Sequence, residues 1–183
     1  FDYEDANPVS EKLYPVMKNG KWGFVNRKGK EKVPCVYAFV SSFTNGRAMV
    51  TDGKKYGIIN ERGKFVLPLE YGQAGLRSMA YIYSDGLAMV EKDGKFGFVD
   101  RDGKVVIPLM YESAYHFAEG LAPVKKDGKW GFINTKGEVM IPFRFEIASF
   151  FENGRAEVYL DGKAHKINTK GQCVKNCKNF YTK

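Results

Sequence analysis

The sequence predicts an all-β fold of tandem repeats of about 34 residues, each a three-stranded antiparallel meander, stacked as an open elongated array. Three observations carry that expectation. An aromatic–glycine pair recurs at Trp22-Gly23, Tyr56-Gly57, Phe96-Gly97 and Trp130-Gly131, with glycine spacings of 34, 40 and 34. Six residues after each marker comes a second glycine, at Gly29, Gly63, Gly103 and Gly137, and again at Gly171 where His165 holds the marker position. Five residues further stands a proline, at Pro34, Pro68, Pro108 and Pro142, with Asn176 breaking the series. A fixed period of this size is a signature of solenoids, propellers and arrays. A small β-propeller is the alternative, but its blades take four strands in some forty or more residues. The worn last copy, Ala164-His165 without proline, suits the cap that an open array needs.

Taken in order, residues 1–12 form an acidic irregular arm, residues 13–172 the array of about four full copies with partial ends, and residues 173–183 a basic tail. In each full unit the first strand is Arg47–Thr51, Leu87–Lys92, Leu121–Lys126 or Arg155–Leu160. It ends in an Asx-Gly dipeptide: Asn19-Gly20, Asp52-Gly53, Asp93-Gly94, Asp127-Gly128 or Asp161-Gly162. Those residues adopt positive φ most cheaply, so two-residue hairpins are predicted at all five. The second strand, such as Lys129–Asn134, leads to a longer turn whose glycine fits the left-handed position of a bulged hairpin. The third strand, Lys104–Ile107 and its equivalents, should stop at proline, which removes a ladder donor. A linker such as 109–119 follows, with an aromatic three residues after proline (Tyr37, Tyr71, Tyr111, Phe145) and another three before a third glycine (Phe43, Tyr83, Phe117, Phe151). Large rings at such regular spacing predict a linker that folds back over the sheet, with room for a short helical turn.

In each aromatic–glycine pair the glycine leaves a gap that the neighbouring ring can lie across, which makes Trp22, Tyr56, Phe96 and Trp130 packing residues. Stacking of Trp22 and Trp130 on sugars or bases is the functional alternative, and the exchange of Trp for Phe96 and Tyr56 favours packing. Lys-Trp-Gly-Phe-Val-Asn at 21–26 and Lys-Trp-Gly-Phe-Ile-Asn at 129–134 resemble the WG-repeat (KWG) family found widely in bacteria. The resemblance covers about residues 13–172 and implies a β repeat used for binding, with no catalytic residues to carry over.

Net charge is +8, and lysine recurs beside the turns as Lys21, Lys54, Lys95, Lys129 and Lys163, then Lys30, Lys64 and Lys104. Rows of like charge face water or an anion, so an anionic polymer (glycan or nucleic acid) is one candidate partner; edge and turn lysines that keep strands from foreign pairing are the plainer reading. Cys35, Cys173 and Cys177 are too few for a disulfide framework; Cys173 and Cys177 suit free thiols or a local disulfide, and no metal site or cofactor is expected. His116 and His165 stand beside no nucleophile, and no phosphate-binding loop or transmembrane run is present. The expected function is therefore a non-catalytic binding or scaffolding module for a protein or cell-envelope ligand, with an unrecognised hydrolase as a remote alternative. Its site is placed on the six-residue insertion between Pro68 and Gly86, at Arg77, Met79, Tyr81 and Tyr83, against the alternative of a passive loop. Phe1 in place of Met leaves either a cleaved leader, which would favour an extracytoplasmic location, or a fragment of a longer protein.

Overall fold

The computed structural model describes residues 3–6, 12–72, 83–178 and 180–181, and among these every regular element is a β-strand. The chain forms two compact units, Phe1–Ala80 and Tyr81–Lys183. The first holds two four-stranded sheets. One runs β1 (Asp5–Ala6), β2 (Leu13–Lys18), β3 (Lys21–Asn26), β4 (Glu31–Tyr37); the other runs β5 (Phe39–Val40), β6 (Arg47–Thr51), β7 (Tyr56–Asn60), β8 (Phe65–Tyr71). The second unit holds three sheets: β9 (Ala88–Lys92), β10 (Lys95–Val99) and β11 (Val105–Tyr111); β12 (Ser113–Ala114), β13 (Leu121–Lys126), β14 (Lys129–Asn134) and β15 (Val139–Phe145); β16 (Ile147–Ala148), β17 (Arg155–Leu160), β18 (Lys163–Asn168) and β19 (Cys173–Lys175). Neighbouring strands in every sheet are consecutive and antiparallel.

The three-stranded meander expected from the sequence is present in each sheet, and in three of the sheets the linker adds a short fourth strand where a helical turn had room. Two residues suffice. Phe39–Val40 pairs with β6 through Phe39 to Thr51 and Val40 to Val50, and Ser113–Ala114 and Ile147–Ala148 repeat this against β13 and β17. Asp5–Ala6, within the stretch read as an irregular arm, pairs with β2 in the same way, and Cys173–Lys175, within the stretch read as tail, closes the last sheet.

Four of the five Asx-Gly turns have both residues at positive φ, as a two-residue hairpin requires: Asn19 (52°) with Gly20 (68°), Asp93 with Gly94, Asp127 with Gly128, and Asp161 with Gly162. The exception is Asp52-Gly53. It stands seven residues after Gly46 where the other copies leave eight, so the dipeptide arrives one residue early and the loop widens to 52–55. The Asp52 carboxylate then accepts from the amides of Lys54 and Lys55 (both 2.8 Å), which holds its carboxyl below the ordinary value. The third glycines also mark two-residue turns, with Asn45, Asp85, Glu119 and Asn153 at positive φ beside them. Glu119 is an unusual residue there. Its carboxylate oxygens accept from the amide of Gly154 in the next copy (3.1 and 2.9 Å), as Asp85 does from Gly120 (2.8 Å). Glu119→Ala keeps the strained φ and removes that bond, so a loss of about 1 kcal/mol in a denaturant melt is expected.

The core of the first unit includes a cluster of Phe24, Val33, Tyr37, Phe43, Val50 and Ile59, drawn from both sheets. The second unit repeats the arrangement around Phe98, Ile107 and Phe117, and around Phe132, Ile141, Phe145 and Phe151. In three copies the ring before the third glycine packs edge-on or tilted against the ring after the marker glycine: Phe24 with Phe43 at 4.7 Å, Phe98 with Phe117 at 4.8 Å, and Phe132 with Phe151 at 5.0 Å. These pairs tie linker to sheet, as the ring spacing predicts.

Candidate binding surface

Proline does not end the third strand. β4, β8, β11 and β15 each run three residues past it, because the proline sits in a bulge where no ladder donor is needed. Trp22 pairs with Tyr37 and Phe24 with Val33, so two steps on β3 oppose four on β4. The surplus residues crowd the intervening glycine. A Cβ at Gly23 would lie 2.5 Å from the Val33 carbonyl oxygen and 2.7 Å from the Cys35 nitrogen, and Gly57, Gly97 and Gly131 meet the same obstruction at 2.8, 2.6 and 2.8 Å. Opposing backbone thus stands where a Cβ would project from each of these glycines. Tyr56 pairs with Tyr71, Phe96 with Tyr111 and Trp130 with Phe145, so the first ring of each linker is the cross-strand partner of the marker aromatic.

Trp130 is 9% exposed, and Tyr115 stacks on it at 5.3 Å with planes 15° apart. Trp22, Tyr56 and Phe96 are half-buried.

The last copy replaces the marker glycine by His165 and the proline by Asn176. The two changes fit each other. β19 leaves the ladder after Lys175, and the buried His165 ring meets the Asn176 carbonyl oxygen through Nδ1 and the Phe180 ring at 5.1 Å. A disulfide joins Cys173 to Cys177 around this point, and Arg144 lies over Phe180 at 4.5 Å.

The model of the WG containing repeat matches five times, over residues 1–22, 22–56, 56–96, 96–130 and 130–163. The chain belongs to the WG containing repeat family. Three of the WG matches run from one marker aromatic to the next, so residues 22–56 supply β3 and β4 to one sheet and β5 and β6 to the following one. No curated protein matches the chain. Among solved structures it is similar to a eukaryotic initiation factor (14% identity, TM-score 0.52, covering 95% of this chain and 55% of that one). It is also similar to Kluyveromyces lactis Hsv2 (10%, TM-score 0.49, 90% and 59%) and to PorZ of Porphyromonas gingivalis (10%, TM-score 0.40, 94% and 26%). The WG repeat chain spans 55% and 59% of the length of the first two of these structures. At such identity the likeness is one of β-rich fold.

Of the residues that sequence assigns to binding, Arg77, Met79 and Tyr81 lie outside the described residues. Tyr83 is half-buried, with the Arg101 guanidinium 6.0 Å from its ring centre. The lysines Lys21, Lys54, Lys95, Lys129, Lys163, Lys30, Lys64 and Lys104 are all exposed. Lys18 opposes Lys21 and Lys126 opposes Lys129 across their hairpins, while Glu4 caps the amides of Asn19 and Gly20 (3.0 Å each) and Glu112 that of Gly128. A carboxylate therefore already sits at the turns where those like charges meet.

Two outward-facing rings of the second unit are on linkers. Phe150 is 42% and Tyr115 45% exposed. His116 and Phe150 occupy equivalent positions, four residues before Gly120 and Gly154, and their rings meet at 5.0 Å. Phe150 also walls a cleft of about 360 Å³ with Ser149, Glu152, Arg155, Glu157 and Lys166. The linker rings named from sequence are buried apart from half-buried Tyr83, whereas Phe150 and His116, each just before a core ring (Phe151 and Phe117), are not among them.

Proposed function

We propose that this WG repeat chain is a non-catalytic binding module whose linkers in the second unit present the contact surface for a protein or cell-envelope ligand. The observation that carries the reading is Phe150, a large ring kept partly exposed, braced by His116 and forming one wall of a cleft with mixed charge. Aromatic anchors beside polar groups are what interface centres are enriched in. The histidines support a role without catalysis, since His165 is committed to packing and a carbonyl oxygen, and His116 to Phe150. A protein and glycan array probed with the purified chain tests this. Phe150→Ala should remove the captured signal, by tenfold or more in affinity, at an unchanged melting temperature. An unaltered signal would sink the reading.

The exposed lysines support an anionic polymer as a second reading. Affinity for such a ligand would fall steeply with salt.

A further inference from the structure

Comparison of the copies with one another exposes a departure in the first unit. The position eleven residues before the marker is glycine in four copies, Gly46, Gly86, Gly120 and Gly154, but Lys12 in the first. Lys12 nonetheless keeps the glycine-like backbone, at φ 77°. An L side chain adopts that conformation only at a cost, and such outliers collect where function holds them. The position nine residues after the marker is apolar in four copies, Val66, Val106, Met140 and Val174, but Lys32 in the first. Both replacements introduce a cation. Both face one cleft of about 490 Å³, lined by Lys12, Leu13, Asn26, Lys32, Glu61 and Arg62.

Asn26 contributes to the same donor set. Its Oδ1 accepts from the amides of Lys28 and Lys30 (3.0 Å each), which fixes the side chain. In the second unit the equivalent Nδ2 groups are taken, Asn134 by Glu138 (2.6 Å) and Asn168 by Gln172 (3.0 Å). In the first copy the matching residue is Lys30, and among the described residues Asn26 Nδ2 meets no acceptor. The cleft therefore gathers two ammonium groups, a guanidinium and a carboxamide N–H, with Glu61 as its one carboxylate.

We propose that this cleft binds a tetrahedral oxyanion group, a phosphate or sulfate ester, gripped by Lys12, Lys32 and Arg62. Arg62 can offer two parallel N–H donors, the lysines add point charge, and Glu61 accepts from a hydroxyl of the group that carries the ester. The cleft lies wholly within the first unit, so this inference stands or falls separately from the Phe150 surface.

Calorimetric titration of the whole chain with inorganic pyrophosphate, and separately with inorganic sulfate, at fixed ionic strength tests the assignment. Saturable binding is expected, weakened about tenfold by Arg62→Ala and by Lys32→Val, the loss of one charge-assisted contact. Lys163→Ala, at a distant turn, should bind like the parent. Lys12→Gly is the decisive variant, because it relieves the backbone. It should raise the melting temperature while weakening pyrophosphate several-fold. Preference for pyrophosphate assigns a phosphate ester, and equal affinity extends the site to sulfate esters. Absence of saturable binding, equal weakening by Lys163→Ala, or undiminished affinity in Lys12→Gly would overturn the proposal.

Discussion

Trp130→Ala is expected to lower the unfolding free energy by roughly 3 kcal/mol, within the range for emptying a buried aromatic site. The indole is 9% exposed, pairs across the sheet with Phe145, and carries Tyr115 stacked on its face. Removing it strips partners from two rings and leaves a cavity between a strand that cannot collapse and a linker held by the Tyr115 amide, which donates to the Pro123 carbonyl oxygen. Trp130→Phe, the residue of the third copy, is expected to cost well under half as much, since the position needs a large ring more than an indole. Denaturant melts of the two variants check this. A Trp130→Ala protein that melts like its parent and loses a ligand would make Trp130 a contact residue, as the sugar- or base-stacking alternative requires.

The turns show how far local chemistry reads through to structure. Asn and Asp before glycine mark the hairpins because side-chain size and φ are properties of one or two residues. The Asn or Asp that opens each longer turn is equally local: Asn26, Asp100 and Asn134 fold their Oδ1 onto amides two and four residues ahead. Proline misled for the same reason. It forbids a ladder donor at its own position, but the neighbouring strand decides whether one is needed, and opposite Gly23 none is. The fourth strand was hidden because Phe39–Val40 is too short to show a period, and the early arrival of Asp52-Gly53 was visible as a count of seven in place of eight. Interturn bonds such as Glu119 to Gly154 span repeats and leave no local signature beyond a glutamate where asparagine or aspartate otherwise stands. The candidate sites divide likewise. The inserted loop drew notice by its length, whereas Phe150 and the Lys12–Lys32 pair emerge from comparing equivalent positions once the sheets fix which of them face outward.

The repeat is defined here by a glycine that the opposing backbone leaves no room to replace. Gly131 lies within a strand, and a Cβ there would stand 2.8 Å from the Ile141 carbonyl oxygen and 3.0 Å from the Phe143 nitrogen. Its φ is not in the left-handed region, so alanine would suit the local backbone and all of the cost must come from crowding. Gly128, three residues earlier, is the reverse: its φ is 73° and a Cβ there meets nothing within 4 Å. Gly128→Ala should therefore cost about 1 kcal/mol from conformation alone, and Gly131→Ala about 3 kcal/mol from forcing β14 and β15 apart. The difference between the two unfolding free energies, measured side by side by denaturant titration, is the direct test. A gap of about 2 kcal/mol against Gly131→Ala is expected; equal losses, or a Gly131→Ala protein as stable as its parent, would contradict the role of the bulge in demanding glycine at Gly23, Gly57, Gly97 and Gly131.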